Sequence, residues 1–142
     1  MKRYRFRMEQ VLRVRRIQED MARQNLVASN RRARGAADAY HVELDRLGAM
    51  PVVTGVLDSR DYLSRRAEEE LAADTVHSAE QAMTAAAADA ESARHAFVEA
   101  AQRVDALERL DRRRRDEHAL EEGRTEVREA DDLTAGRWVA ST

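Results

Sequence analysis

Cysteine is missing altogether from the 142 residues, and proline occurs once, at Pro51. Without cysteine there are no disulfides, thiol nucleophiles or thiolate zinc sites, which fits a reducing compartment. One proline and five glycines leave little to interrupt long helices. Aromatic residues are only 4% of the chain, so a thick globular core lacks its usual filling. No apolar run nears the roughly 18 residues of a membrane span. The start, from Lys2 to Arg7, is basic like a secretory leader, but Arg13, Arg15 and Arg16 interrupt any apolar core behind it. Neither sign of charge dominates: 25 basic residues face 27 acidic ones, a formal charge of −2. That balance gives no bulk attraction to nucleic acid or to an anionic membrane. The expectation is a soluble cytoplasmic chain.

What is present is a stripe. Alternating steps of four and three residues from Ala72 give Val76, Ala79, Met83, Ala86, Ala90, Ala93, Phe97, Ala100, Val104 and Leu107, all apolar. This is a heptad seam about five heptads long, the pattern of a helix supercoiled against a partner helix. Six of the eleven residues are alanine, so the two backbones must approach closely. Asp74, Glu80, Asp89, Glu91, Arg94, Glu99, Arg103 and Glu108 lie between the seam positions and seek water.

A first helix is expected from about residue 5 to 47. Its apolar face begins as Met8, Val11, Leu12, Val14, Ile17 and Met21, then changes phase near Gln24 and Asn25. It resumes as Leu26, Asn30, Ala33, Ala37, Tyr40, Leu44 and Leu47, which reads as a stutter with Asn30 fixing register. Gly48, Pro51 and Gly55 mark a loop over 48–58, with Gly48 suited to a left-handed helix end. Asp58, with Ser59 as the alternative, is the expected N-cap of a second helix over about 59–136. The fold class is all-α: one antiparallel two-helix coiled-coil hairpin, a single rod whose second helix is the longer. Equal rise about residue ~53 pairs positions whose numbers sum to about 107, setting Met8 near Ala100. A charged overhang beyond residue 110 is then left without a partner inside the chain.

No residue pattern points to catalysis. His41, His77, His95 and His118 have no close ligand spacing, no serine sits in a GxSxG turn, and no glycine-rich phosphate loop occurs. The expectation is a non-enzyme with no metal or cofactor. Arg112, Arg113, Arg114 and Arg115 form a basic cluster, but successive helical residues turn by about 100°, so the four encircle the helix. Acidic neighbours Asp111, Asp116 and Glu117 offset them, which favours a protein-docking collar or a solvated face over nucleic acid. A second basic group comprises Lys2, Arg3, Arg5, Arg7, Arg13, Arg15 and Arg16, with Glu9 its only acid. Tyr40, Leu44, Tyr62 and Leu63 gather near the loop, where core packing and partner anchoring are both open readings.

The residue order resembles the flagellar export protein FliJ family, the soluble coiled-coil component of the bacterial type III export apparatus. Three stretches carry the resemblance: Phe6-Arg7-Met8-Glu9-Gln10-Val11-Leu12-Arg13, Leu107-Glu108-Arg109-Leu110-Asp111-Arg112-Arg113-Arg114, and Asp131-Asp132-Leu133-Thr134-Ala135-Gly136-Arg137. Asp132 stands where the family usually has glutamate, and the loop from Gly48 to Val56 matches no family motif. The resemblance implies a non-catalytic stalk and adaptor that inserts its paired ends into the hexameric export ATPase. It also implies contact with the cytoplasmic domain of the export gate and help with export chaperones. Arg3, Arg5, Arg7 and Arg112–Arg115 would then serve the ATPase end, and Tyr40, Leu44, Tyr62 and Leu63 the gate. The protein would work at the cytoplasmic face of the flagellar basal body, peripheral to the membrane through its partners alone. Alternatives are the equivalent stalk of a virulence-type secretion system, or a scaffold or nucleic-acid-associated protein dimerising through the alanine seam.

Overall fold

A computed structural model describes the backbone of residues 4–139 and the side chains of residues 4–133. Among the described residues there are two helices and no strand: α1 is Glu9–Gly48 and α2 is Ser59–Val139. They pack as a hairpin in which α2 is the longer, the all-α class expected from the heptad pattern. Contacts gather the described residues into two units, one built from the stretches up to Glu19 and from Glu99 onward, the other Asp20–Val98.

In the Asp20–Val98 unit, the α2 positions that turn away from solvent are Ala72, Val76, Ala79, Met83, Ala86, Ala90, Ala93 and Phe97. These are the seam residues, and Ala93 is fully buried. The facing stripe on α1 is Ala22, Leu26, Ser29, Ala33, Ala36, Tyr40, Glu43 and Leu47. Its steps of four and three continue through Gln24 and Asn25, so the expected stutter does not occur. Ser29, only 2% exposed, holds the seam position predicted for Asn30, which is exposed. Leu44 likewise yields its place to the neighbouring Glu43. At Ser29 the physical reason is side-chain size, since Ala22, Ser29, Ala33 and Ala36 allow close approach to the alanine-rich seam; Glu43 instead holds its place by the 4–3 spacing of the stripe.

In the other unit, Leu12 is the α1 anchor at 6% exposure, beside half-buried Arg15 and Glu19. Opposite lie Ala100, Val104 and Leu107, of which Val104 is buried. The rest of the predicted first face does not pack there: Met8, Val11, Val14 and Ile17 are exposed, as is Met21 in the Asp20–Val98 unit. Hydropathy alone assigned them to the core, whereas spacing relative to Leu12 puts them outside it.

The register also differs from equal-rise folding. Arg16 Nη2 donates to Glu108 Oε1 at 2.7 Å, where the sum rule would put about residue 91 opposite Arg16. Residues 59–71 account for the difference. All of them except Arg65 are exposed, and the packed stripe starts only at Ala72. The loop runs along these first turns of α2, so that Met50, Pro51, Val53 and Leu57 share a groove with Tyr62 and Arg66. Counting residues from the loop centre misses such a laid-back connection.

The helix ends follow local chemistry. Asp58 stands at the N-cap position of α2, its carbonyl accepting the first helical bond from the Tyr62 amide at 2.9 Å. Gly48 does not take the left-handed conformation; Gly55 does, at φ 137°, where an L side chain would be strained. Pro51 prevents α1 from continuing. α1 begins at Glu9, later than the expected residue 5, because the preceding arm leaves the helical path to reach α2. A turn joins the two, with the Glu9 amide donating to the Phe6 carbonyl at 3.2 Å.

Candidate partner-binding site

The densest polar arrangement is where that arm meets α2. The Tyr4 hydroxyl donates to Asp111 Oδ1 at 2.9 Å, and Arg115 Nη2 donates to the other carboxylate oxygen at 2.7 Å. The Arg115 guanidinium carbon lies 5.9 Å from the centre of the Tyr4 ring, within cation–π reach. The His118 ring meets Tyr4 edge-on, with centroids 5.6 Å apart. Desolvation against α2 raises the Tyr4 pKa above its ordinary value, and the hydrogen bond to Asp111 adds to the shift. The phenol is therefore held protonated as a donor.

Asp111 and His118 are continuations of the 4–3 seam beyond Leu107. The seam turns polar there, and the single aromatic side chain of Tyr4 covers it. Cross-helix contact accordingly reaches His118, and the first turns of the expected overhang have a partner. Sequence reasoning singled out the arginines around Tyr4 and passed over Tyr4 itself. A seam that changes from apolar to Asp111 and His118 was the available signal.

The predicted basic residues are brought together only in part. Arg5, Arg7 and Arg114 line one groove with Tyr4, Phe6 and Leu110. Arg3 lies outside the described residues. Arg114 pairs with Glu117 at 3.1 Å and Arg115 with Asp111, whereas Arg112 and Arg113 are exposed and make no ion pair among the described residues. The four arginines thus surround α2, two of them held by acids and two open to a partner.

In the Asp20–Val98 unit, Tyr40 sits half-buried on the α1 stripe with its ring 5.5 Å from that of His41. Leu44, Tyr62 and Leu63 are exposed. Tyr62 lines the loop groove; Tyr40, Leu44 and Leu63 do not. A hydrogen bond with Tyr62 is the main cause that raises the Arg66 pKa, and the charge of Glu70 adds to it. The loop end therefore presents apolar side chains beside a firmly charged guanidinium.

Among the described residues no three His, Asp or Glu side chains are grouped as metal ligands, and no helix is long and apolar enough to cross a membrane. The arrangement offers hydrogen bonding, ion pairing and apolar contact. Comparison with family models, curated proteins and solved structures finds no match to the chain.

Proposed function

We propose that the protein is a non-catalytic stalk and adaptor of a flagellar type III export apparatus, working on the cytoplasmic side of the basal body. Its end near Tyr4 would insert into the export ATPase ring, and its loop end would meet the cytoplasmic domain of the export gate and export chaperones. The reading rests on the residue order of both termini and on an all-helical hairpin whose second helix outlasts the first. The observation that carries it is the groove joining Arg5 and Arg7 of the arm to Arg114 of α2. Exposed arginines on both the arm and α2 at one end suit an acidic or carbonyl-rich collar. Tyr62 and Leu63 supply exposed anchors at the loop end. The competing idea of a scaffold dimerised through the alanine seam is less favoured, because α1 already covers that seam.

The test is co-purification of the full chain with the export ATPase of its own organism, with ATP hydrolysis measured with and without it. Stimulated hydrolysis and a stable complex are expected. Changing Arg112, Arg113, Arg114 and Arg115 to glutamate should abolish binding while helicity by circular dichroism is retained. Undiminished binding by that variant removes the assignment of this end; absence of any complex with the unaltered chain removes the export reading.

A further inference from the structure

Two exposed apolar faces remain in the unit that contains Tyr4, and neither takes part in the arrangement around it. The first, on α1, consists of Val14 and Ile17 with Val11 alongside, and polar Gln10 continues the same register one step before Val14. Val14 is 52% exposed and Ile17 54%. The second, on α2, follows Leu120, Gly123 and Val127 at steps of three and four, with Leu120 65% and Val127 61% exposed. Each face has coiled-coil spacing of its own and points away from the Leu12–Val104 seam.

Their charges are opposite. Residues 5–18 carry five arginines and one glutamate; residues 119–133 carry six carboxylates and two arginines. Arg13, which flanks the first face, makes no ion pair among the described residues, and neither does Asp131, which flanks the second. Gly123 adds a third point. It stands in a helix interior, where glycine costs about 1 kcal/mol against alanine. A Cβ built there would meet nothing within 4 Å, so the chain's own fold gives no reason for its small size. Close approach of another helix would.

We infer that the α2 face of one copy docks on the α1 face of a second copy, so that two chains exchange this contact reciprocally about a two-fold axis. With the helices parallel and their heptads aligned, Val127 of one copy lies against Val14 of the other, and Gly123 admits Gln10. The same alignment brings Arg13 and Asp131 into the flanking positions that pair across a parallel coiled coil. A single copy cannot cover both faces, and the reciprocal arrangement covers Val14 and Val127 in both copies. The inference does not depend on the export reading.

The test is sedimentation velocity of the full chain over a concentration series at low and high salt. A reversible dimer that weakens as salt rises is expected. Val14→Glu with Ile17→Glu should leave only monomer while circular dichroism shows helicity retained. Arg13→Glu should weaken the dimer at least about tenfold, and adding Asp131→Arg to it should restore association. Monomer at every concentration overturns the proposal. So does a dimer indifferent to the Val14 and Ile17 changes, since it would use another surface, or failure of the charge exchange to restore association.

Discussion

Arg16 on α1 and Glu108 on α2 face one another at 2.7 Å, fixing which turns of the two helices are neighbours at this end. Both side chains are largely in water, at 57% and 40% exposure, so the pair marks the register and contributes little to stability. A double-mutant cycle of Arg16→Ala and Glu108→Ala is expected to give a coupling of about 0.2–1 kcal/mol, falling as salt is added. A coupling of zero at low salt would mean that this exposed ion pair adds nothing to stability in solution.

The apolar residues of α1 should divide sharply in their effect on stability. Leu12→Ala is expected to cost about 2–3 kcal/mol, the low end for a leucine in a core, because a two-helix interface is thin and can relax. Met21→Ala should stay within about 0.5 kcal/mol, as its side chain is exposed. Urea unfolding of dilute protein measures both, and comparable losses would restore the phase read from hydropathy alone.

Two glycine substitutions should act in opposite directions. Gly35 lies inside α1 with open space around it, so Gly35→Ala should stabilise by about 0.5–1 kcal/mol. Gly55 has φ 137°, and Gly55→Ala should destabilise the connection. Thermal unfolding of the two variants beside the parent chain gives the comparison directly.

Docking of the arm should depend on pH through Tyr4. Its folded-state pKa is raised above the ordinary value near 10, so the phenol favours the docked state while protonated. That contribution is fully present below the unfolded pKa and is lost as pH rises through the folded one. Difference absorbance between the parent chain and Tyr4→Phe should show a phenol titrating above the ordinary range. Hydrogen exchange at Leu12 should quicken in Tyr4→Phe at neutral pH. An ordinary titration curve for Tyr4 would show that the arm is not docked.

The α2 seam from Ala72 to Leu107 was legible residue by residue, because a strict heptad can bury only one face of a helix. The Asp58 cap and the stop at Pro51 were legible for local reasons of hydrogen bonding and ring geometry. On α1 the same reasoning failed, because Val14, Ile17 and Met21 are apolar enough for a core while Ser29 and Glu43 are not. Tertiary structure decided that face: the stripe running in steps of four and three from Leu12 to Leu47 is the one that meets α2, and it takes in Arg15, Glu19, Ser29 and Glu43 whatever their hydropathy. It also decided the register, since the loop laid along α2 is not encoded by counting, and it brought Tyr4 to Asp111 across 107 residues of chain. Sequence periodicity determined that two helices pair. Only packing, which sets one continuous stripe of α1 against α2 and leaves the apolar residues off it exposed, decided which faces meet and which remain open to other molecules.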